Sequence, residues 1–592
     1  MFIISVVIAR PIEKCYSYVS RDSLKCGTIV EIPLMFSKSL GIVLECAPLI
    51  ISQNLKLKEI HRVYGEVPLK YLKILQEEAR KQHISLGIFL KNILRIPLNI
   101  QSTTRDKISF KNLSLSEDQM LAVDQILQNP TSLLIGVTGS GKTNVYLKVI
   151  ESFLDGQILV LMPEISLTMD WKKKFQSWFG FEPYIWHHAS KNKREIYSWA
   201  LSGAPGVVVG ARSAILLPLK NLKLIIIDEE HDVSYKQDTI PYYHARDLAL
   251  QLCEKVVLVS ATPSVESFFL IKNHVKLSRK PEHGLAQLTL LENYSDAPIS
   301  LILQTKLLEN KALGEASILL INKRGYASYL SCTVCKKIIM CSRCSSKLSV
   351  HSEFLLCHWC GWKQLKEICK CGAETSPKGW AIESVNEWIS NNLHLKTDFI
   401  SSDSKSISAK LNKLISGKID LLIGTQIISQ GYNIEKISLV IILDLAGGGY
   451  NFRDNERLYQ LLSQTRGRAG RGKLPGRAYI QSNTITSNFI KYLDNSTAFY
   501  NAELAERKEF NMPPFSTLTS IIFTSKDQQL LEKYIKTTPS GALGPVPAPL
   551  FKLNNIYRWR ALVVGNPEKY INKLEKKKGI EIIIDNNPYS FY

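Results

Sequence analysis

Long apolar runs are missing from this 592-residue chain; among its longest are Ile158-Leu159-Val160-Leu161-Met162 and Leu439-Val440-Ile441-Ile442-Leu443. These are strand-length, whereas a membrane-crossing helix needs about 20 mostly apolar residues, so no membrane span is expected. No segment of 20 to 50 residues repeats, which excludes a solenoid or repeat array. A basic-then-apolar leader is absent too, and Cys15, Cys26, Cys46 and Cys253 are scattered singly, so an exported, disulfide-stapled protein is not expected and a cytoplasmic one is. Acidic residues are in short supply: 53 Asp and Glu face 74 Lys and Arg, for a formal charge of +21. That balance favours a polyanionic partner such as nucleic acid, although an anionic membrane surface attracts the same sign. Basic residues are spread along the chain, and the one dense run, Lys573, Lys576, Lys577 and Lys578, reads first as a solvated helix face.

What is present is ordinary for a folded protein, with 45% hydrophobic and 21% charged residues. The length is too great for one core and points to about four domains. Eight cysteines crowd into the segment from Cys332 to Cys371, as the pairs Cys332/Cys335, Cys341/Cys344, Cys357/Cys360 and Cys369/Cys371. A C-x-x-C turn points two thiolates at one ion about 2.3 Å from each sulfur, and two turns complete a tetrahedron, so eight ligands suit two zinc ions. Disulfide or redox chemistry is the competing reading. A closed four-sulfur site leaves no open position for water, and such metals organise folding and do not catalyse.

Residues 1–98 begin with β-rich segments (Phe2 to Ile8, Thr28 to Ile32, Gly41 to Leu44) and continue as one helical stretch from Leu69 to Leu94. The polar stretch 99–112 reads as a linker. Hydrophobic strands alternating with amphipathic helices then fill 113–290 and again 291–481, the pattern of parallel sheets with crossovers, the second block interrupted by a cysteine-rich insert at 330–373. Residues 482–592 form a further, mixed α+β region containing Gly544-Pro545-Val546-Pro547-Ala548-Pro549.

Gly136-Val137-Thr138-Gly139-Ser140-Gly141-Lys142-Thr143 follows the strand-like Ser132 to Ile135 and matches the phosphate-loop pattern. The glycines Gly136, Gly139 and Gly141 let backbone N–H groups close around phosphate oxygens, Lys142 reaches the β and γ phosphates of ATP, and Thr143 offers a hydroxyl to magnesium. A flexible glycine turn is the alternative. Leu224 to Ile227 reads as a buried strand ending in Asp228-Glu229-Glu230-His231, where Asp228 would hold magnesium and Glu229 would polarise the attacking water. Ser260-Ala261-Thr262 closes another strand. Gln464-Thr465-Arg466-Gly467-Arg468-Ala469-Gly470-Arg471 supplies closely spaced guanidiniums, suited either to a nucleic-acid patch or to a second lobe reaching the γ-phosphate when lobes close.

The ordered set of Lys142, Asp228 to His231, Ser260 to Thr262 and Gln464 to Arg471 resembles the superfamily 2 helicases. With eight cysteines between the lobes, and with Ser234-Tyr235-Lys236-Gln237, Tyr243-His244-Ala245-Arg246-Asp247, Gly424-Thr425-Gln426 and the Gly544 to Pro549 signature, it is similar to the PriA family of bacterial replication-restart helicases over nearly its whole length. The resemblance implies two RecA-like lobes, a zinc insert, an N-terminal domain that binds DNA 3′ ends and a small C-terminal domain. It also implies 3′→5′ translocation on forked and single-stranded DNA and D-loops, and partnership with single-stranded-DNA-binding protein and primosome or helicase-loading proteins, by a chain that is a monomer. Position by position, Gln119 would contact adenine, and Arg468 and Arg471 would meet phosphates from the other lobe. An aromatic-rich loop over 234–243 would sense single-stranded DNA through Tyr235, Lys236, Tyr242 and Tyr243, while tyrosines packed beneath that loop are the alternative. Thr425 and Gln426 would touch DNA from the second lobe, and Lys58 fits a phosphate role. The family's zinc pairing is nested, which assigns Cys332, Cys335, Cys369 and Cys371 to one ion and Cys341, Cys344, Cys357 and Cys360 to the other.

Several positions depart from that pattern. The last pair is C-x-C where the family has C-x-x-C, which suggests a strained outer site. Tyr16-Ser17-Tyr18 stands where the family has Phe-Asp-Tyr, removing a carboxylate that accepts from a terminal nucleotide. The 99–112 linker is too short for the family's winged helix, so fewer duplex contacts are expected. Gln430-Gly431-Tyr432-Asn433-Ile434 and Leu445-Ala446-Gly447-Gly448-Gly449 replace a lysine-bearing and an acidic stretch, which suggests slower or less coupled unwinding. A fork-binding scaffold with a weakened motor and an RNA-remodelling ATPase are the rival readings.

Overall fold

The computed structural model describes residues 1–34, 37–48, 57–95, 115–137, 139–163, 169–277, 286–321, 327–351, 354–365, 369–400, 407–425, 437–443, 451–467, 476–483, 485 and 487–589. The 99–112 linker, Gln426, Gln430 to Ile434, Leu445 to Gly449, Arg468 and Arg471 lie outside them. The chain divides into two units, the first comprising Met1–Gly136, Gly141–Ser278 and Ile584–Asn586, the second Val137–Ser140, Arg279–Ile583 and Asn587–Tyr592.

The first unit opens with a five-stranded sheet in the order Tyr16–Ser20, Phe2–Ile8, Ser37–Pro48, Thr28–Leu34, Arg62–Glu66, each neighbouring pair antiparallel. Alternation decides its faces. Ile4, Val6 and Ile8 turn one way, onto Tyr18, Val30, Ile32 and Val43. Val7, Ile29 and Ile42 turn the other way, into a core shared with two helices and with the following parallel sheet. The helices are Leu69–Lys81 and Leu86–Ile93, not one stretch from Leu69 to Leu94. His83 takes φ +53°, and the Ser85 hydroxyl accepts from Gly87 N at 3.1 Å, capping a new helix.

Seven parallel strands follow in the order His274–Leu277, Thr131–Gly136, Val256–Ser260, Leu222–Asp228, Gln157–Leu161, Gly206–Gly210, Tyr184–Trp186. Their side chains alternate between two cores: Leu159, Leu161, Ile225, Ile227 and Leu258 pack on one face, and Ile158, Val160, Leu224, Ile226 and Val257 on the other. A sheet buried on both sides reads as continuous Val, Ile and Leu, and each fully buried side chain of this kind contributes about 1.5 to 3 kcal/mol.

The second unit contains a six-stranded parallel sheet ordered Gln287–Leu291, Arg477–Gln481, Ile437–Leu443, Ala316–Ile321, Leu421–Gly424, Thr397–Ile400. Gln287–Leu291 pairs here, so this sheet begins ahead of the 290/291 division read from the sequence. The insert is a five-stranded antiparallel sheet running from Ala327–Cys332 to Thr375–Trp380. Helix Ser496–Glu509 packs on helix Asp454–Arg466 through stacked Tyr459 and Phe499 rings 3.9 Å apart and through buried Arg507, which donates to Glu456 (2.8 Å) and Glu503 (3.0 Å). A four-stranded sheet, Leu543–Leu553, Ile556–Val564, Leu518–Ser525, Glu581–Asn586, completes the unit, with residues 584–586 of the last strand grouping with the first. Among the described residues no helix is long and apolar enough to cross a membrane.

Candidate nucleotide and metal sites

Strand Thr131–Gly136 delivers the phosphate loop, and helix Lys142–Glu151 begins directly after it. Gly139 and Gly141 sit at φ +87° and +86°, in the left-handed region that disfavours any side chain. A Cβ on Gly141 would also lie 2.1 Å from Gln119 Nε2, so the glycine lets the Gln119 amide reach the loop. Gln119 is held there by a capping box: its N–H donates to Ser116 Oγ, and its Oε1 accepts from Ser116 N at 3.1 Å. Lys142 is buried, its ammonium donating to Gly136 O at 2.7 Å, back across the loop. Thr138 lies outside the described residues.

Asp228 ends strand Leu222–Asp228, at the carboxyl edge where parallel sheets bind ligands. Its Oδ2 accepts from Tyr146 OH at 3.2 Å, its Oδ1 from Glu229 N at 3.0 Å, and its carbonyl from Tyr235 OH at 2.6 Å. Burial and the neighbouring Glu229 charge push its carboxyl up to about 6, against the pull of Lys142. Glu229 has φ +48°, a left-handed conformation that costs a non-glycine residue about 1 to 3 kcal/mol and persists only where the surrounding structure holds it. Its buried Oε2 has no hydrogen-bond partner among the described residues. Glu230 is anchored, accepting from Ser264 N (2.6 Å), Ser264 Oγ (3.1 Å) and Ser267 Oγ (2.7 Å), while His231 Nδ1 lies 2.7 Å from Ser260 Oγ. The acidic strand end and the Ser260-Ala261-Thr262 turn thus form one bonded unit.

The eight cysteines gather as two sets of four, Cys332, Cys335, Cys369 and Cys371, and Cys341, Cys344, Cys357 and Cys360, with all sulfurs of a set within 4.8 Å of one another. This is the nested pairing. Sulfur separations are 3.5 Å (Cys332–Cys371), 3.6 Å (Cys335–Cys369) and 3.8 Å (Cys341–Cys360), near the edge of about 3.8 Å that a tetrahedron with 2.3 Å metal–sulfur bonds requires. All eight cysteines are free of disulfides here, and four converging sulfurs in each set suit a metal ion better than a pair of disulfides. The C-x-C pair closes its site because Gly372, at φ +85°, turns the chain so that Cys369 N bonds Ala373 O at 3.0 Å. The inner set has support that sequence reasoning missed: the turn of the C-terminal hairpin lies on it. Asn554 N donates to Cys344 Sγ at 3.3 Å, Ser345 N to Lys552 O at 2.8 Å, and Leu553 packs against the cysteine core.

The expected DNA contacts fare unevenly. Tyr235 is fully buried and Tyr243 nearly so, so neither ring presents a face to a base; both pack beneath the loop, the alternative left open above. Lys236 is buried as well, donating to Asp585 Oδ1 and Asn586 O, both at 2.7 Å. Tyr242 is half-exposed. Lys58 is exposed beside strand Tyr16–Ser20, its carbonyl accepting from Val19 N at 3.0 Å. Thr425 is buried, with no partner for its hydroxyl among the described residues. Residues to which the sequence assigned no role include Arg212, which donates to Ser234 O (2.7 Å) and Lys236 O (2.5 Å), and Gln82, which bonds the Tyr242 backbone.

Four family models match along the chain: the 3'DNA-binding domain (3'BD) over residues 5–95, DEAD/DEAH box helicase over 116–268, helicase conserved C-terminal domain over 381–473 and Primosomal protein N C-terminal domain over 508–578. Replication restart protein PriA of Rickettsia conorii is 33% identical, with 96% of each chain covered, and that of Rickettsia prowazekii is 32% identical, with 99% of each covered. The Bacillus subtilis protein of the same name is 33% identical over 81% of this chain and 67% of its own length. The solved structure of RecG bound to a three-way DNA junction aligns at 14% identity and a TM-score of 0.40, covering 74% of this chain and 51% of that one.

Proposed function

The chain belongs to the family of replication restart proteins PriA, and from that premise we propose that it is an ATP-dependent 3′→5′ DNA helicase. It recognises stalled forks and D-loops and promotes primosome assembly so that replication resumes. Its partners are forked and single-stranded DNA, single-stranded-DNA-binding protein and helicase-loading proteins, and it acts as a cytoplasmic monomer.

The observation that carries the motor reading is the placement of buried Lys142, on the first turn of its helix, with Asp228 and Glu229 at the carboxyl end of a strand of the adjoining sheet, where the Lys142 charge acts on the Asp228 carboxyl. In ATP hydrolysis the Lys142 ammonium would exchange the Gly136 carbonyl for phosphate oxygens, and helix Lys142–Glu151 would present its N-terminal backbone to the same charge. Hard oxygen donors from Thr143 and Asp228 suit magnesium, which supplies charge neutralisation on the phosphates. Glu229, whose Oε2 accepts no hydrogen bond among the described residues and lies 3.7 Å from His231 Nδ1, would take the proton of the attacking water. Gln119, against Gly141, would meet adenine, and Arg468 and Arg471 would approach the phosphates from the second lobe. Two sets of four soft thiolates suit two zinc ions, which supply cross-links in place of a large core.

Measuring ATP turnover with and without forked DNA tests this reading, with unwinding of 3′-tailed and 5′-tailed substrates to fix polarity. Stimulated turnover with unwinding from the 3′ tail is expected. A parent chain that binds forks without stimulated turnover is a scaffold, and one stimulated by RNA in preference to DNA is an RNA remodeller; either result overturns the proposal.

A further inference from the structure

From Asp228 the chain runs through Glu229-Glu230-His231, makes a short turn at Val233–Tyr235, and returns to helix Ala245–Leu252. The segment between closes on itself, with Gln237 N donating to Tyr243 O at 2.8 Å. Its near end is tied to the catalytic strand by the Tyr235 hydroxyl on the Asp228 carbonyl. Its far end is tied to the N-terminal domain. Gln82, immediately after helix Leu69–Lys81, accepts from Tyr242 N with Oε1 at 2.8 Å and donates from Nε2 to Tyr242 O at 2.5 Å. One side-chain amide so satisfies both backbone groups of one residue, as a neighbouring strand would, and Gln82 is only 3% exposed.

A second tie meets the first. Lys236 donates to Asp585 and to the Asn586 carbonyl, and Asn586 Nδ2 donates to Lys81 O at 3.2 Å, one residue before Gln82. Residues 584–586 group with the first unit. The loop that hangs from the catalytic carboxylate is therefore gripped at Tyr242 by the end of an N-terminal helix and at Lys236 by a returning C-terminal strand. That helix packs, through Val7, Ile29 and Ile42, on the sheet that carries Tyr16 and has Lys58 beside it. Packing alone explains neither grip: a leucine would fill the Gln82 space without holding both Tyr242 groups.

We propose that Gln82 and Asp585 are positioning residues that make ATP turnover at Asp228 and Glu229 answer to DNA held on the N-terminal domain. The route runs from Gln82 to Tyr242, across the Gln237–Tyr243 closure to Lys236 and Tyr235, and so to the Asp228 carbonyl. The inference rests on the ATP-driven reading above. Neither residue touches the nucleotide or the reacting atoms, so their loss leaves chemistry and DNA affinity in place and removes the coupling between them.

The test compares the full-length parent with Gln82→Leu and Asp585→Asn, measuring fork affinity, DNA-free turnover, and turnover at saturating forked DNA. DNA-free turnover and fork affinity are expected to stay within about twofold of the parent, while the stimulation factor falls about fivefold or more in each variant. Should Gln82→Leu lose its fold, Asp585→Asn, at a site remote in sequence, carries the same comparison. A parent stimulated by forks together with folded variants stimulated equally overturns this inference and leaves the helicase reading intact. A parent with no stimulated turnover overturns the helicase reading and this inference with it.

Discussion

The strand-end carboxylates and the cysteine insert both gather negative charge for cations, and they do so in opposite ways. Asp228, Glu229 and Glu230 stand at the edge of a seven-stranded sheet, and the surrounding fold holds them: Tyr146, Tyr235, Ser264 and Ser267 supply the hydrogen bonds. The insert has short strands of two to six residues and a small apolar core centred on Leu330, Leu348, Val350 and Leu355, with cysteines in that core. In the first region the fold positions the ligands. In the second the ligands, once they hold a metal, position the fold. Substitutions should accordingly act on chemistry in the first and on structure in the second.

The largest effect should come from the insert. Structural zinc sites contribute roughly 10 to 16 kcal/mol of apparent binding energy, so Cys341→Ser should reduce the zinc content from two ions per chain to one and destabilise the insert. Metal analysis with two ions retained would break both the nested sets and the contrast. At the carboxylates, Glu229→Gln should lower fork-stimulated ATP turnover by roughly 10² to 10⁴ while leaving the thermal transition near that of the parent, because the role proposed for the group is proton transfer and not packing. A large fall in melting temperature with modest loss of turnover would reverse the distinction.

Acid should separate the regions next. The Asp228 carboxyl is raised to about 6 by burial beside Glu229, above the ordinary carboxylate value. In the folded chain it therefore takes up its proton first, so this group favours folding as pH falls through about 6 and its ionisation opposes folding above that pH. Function has the opposite sign, because magnesium requires the ionised form: the apparent magnesium affinity measured through turnover should weaken by up to about tenfold for each pH unit below 6. An affinity flat from pH 7 to pH 5 would contradict the assignment of Asp228. The smallest effect distinguishes the two cysteine sets. Cys341, Cys344 and Cys357 are buried and the C-terminal hairpin turn meets Cys344, whereas the outer set buries Cys332 and Cys369 but exposes Cys335 and Cys371. Leu553→Ala, which trims the partly buried residue of that hairpin turn, should cost about 2 kcal/mol or less and speed chelator extraction of one zinc ion severalfold, with the other unchanged. Equal acceleration of both ions would show that the hairpin does not favour the inner site.

Features visible in the sequence were those written in short spacings. The phosphate loop, the acidic strand end, the Ser260 to Thr262 turn and the cysteine pairs each occupy a few consecutive residues, and their chemistry follows from residue type and local geometry. Buried strands were legible because burial on both faces leaves unbroken Val, Ile and Leu. What stayed hidden depends on residues far apart. The Gln82 clasp joins positions 160 apart, and Ser345 meets Lys552 across 207 residues, through groups with no distinguishing pattern of their own. Tyr235 and Tyr243 illustrate the same limit: tyrosine suits base stacking and core packing equally, and only the surrounding Arg212, Phe89 and Asp228 contacts select the second. The strand Gln287–Leu291 could have extended either parallel sheet by composition, and its register against Arg477–Gln481 places it in the second.

A motor of this kind requires Lys142 and the strand-end carboxylates to form an ATP-hydrolysing site. Turnover of ATP by Lys142→Ala at saturating forked DNA tests it most directly. Loss of roughly 10² to 10³ in turnover with fork affinity unchanged is the expected result, since one phosphate-stabilising donor is removed and no DNA contact is. Hydrolysis at the parent's rate would contradict it.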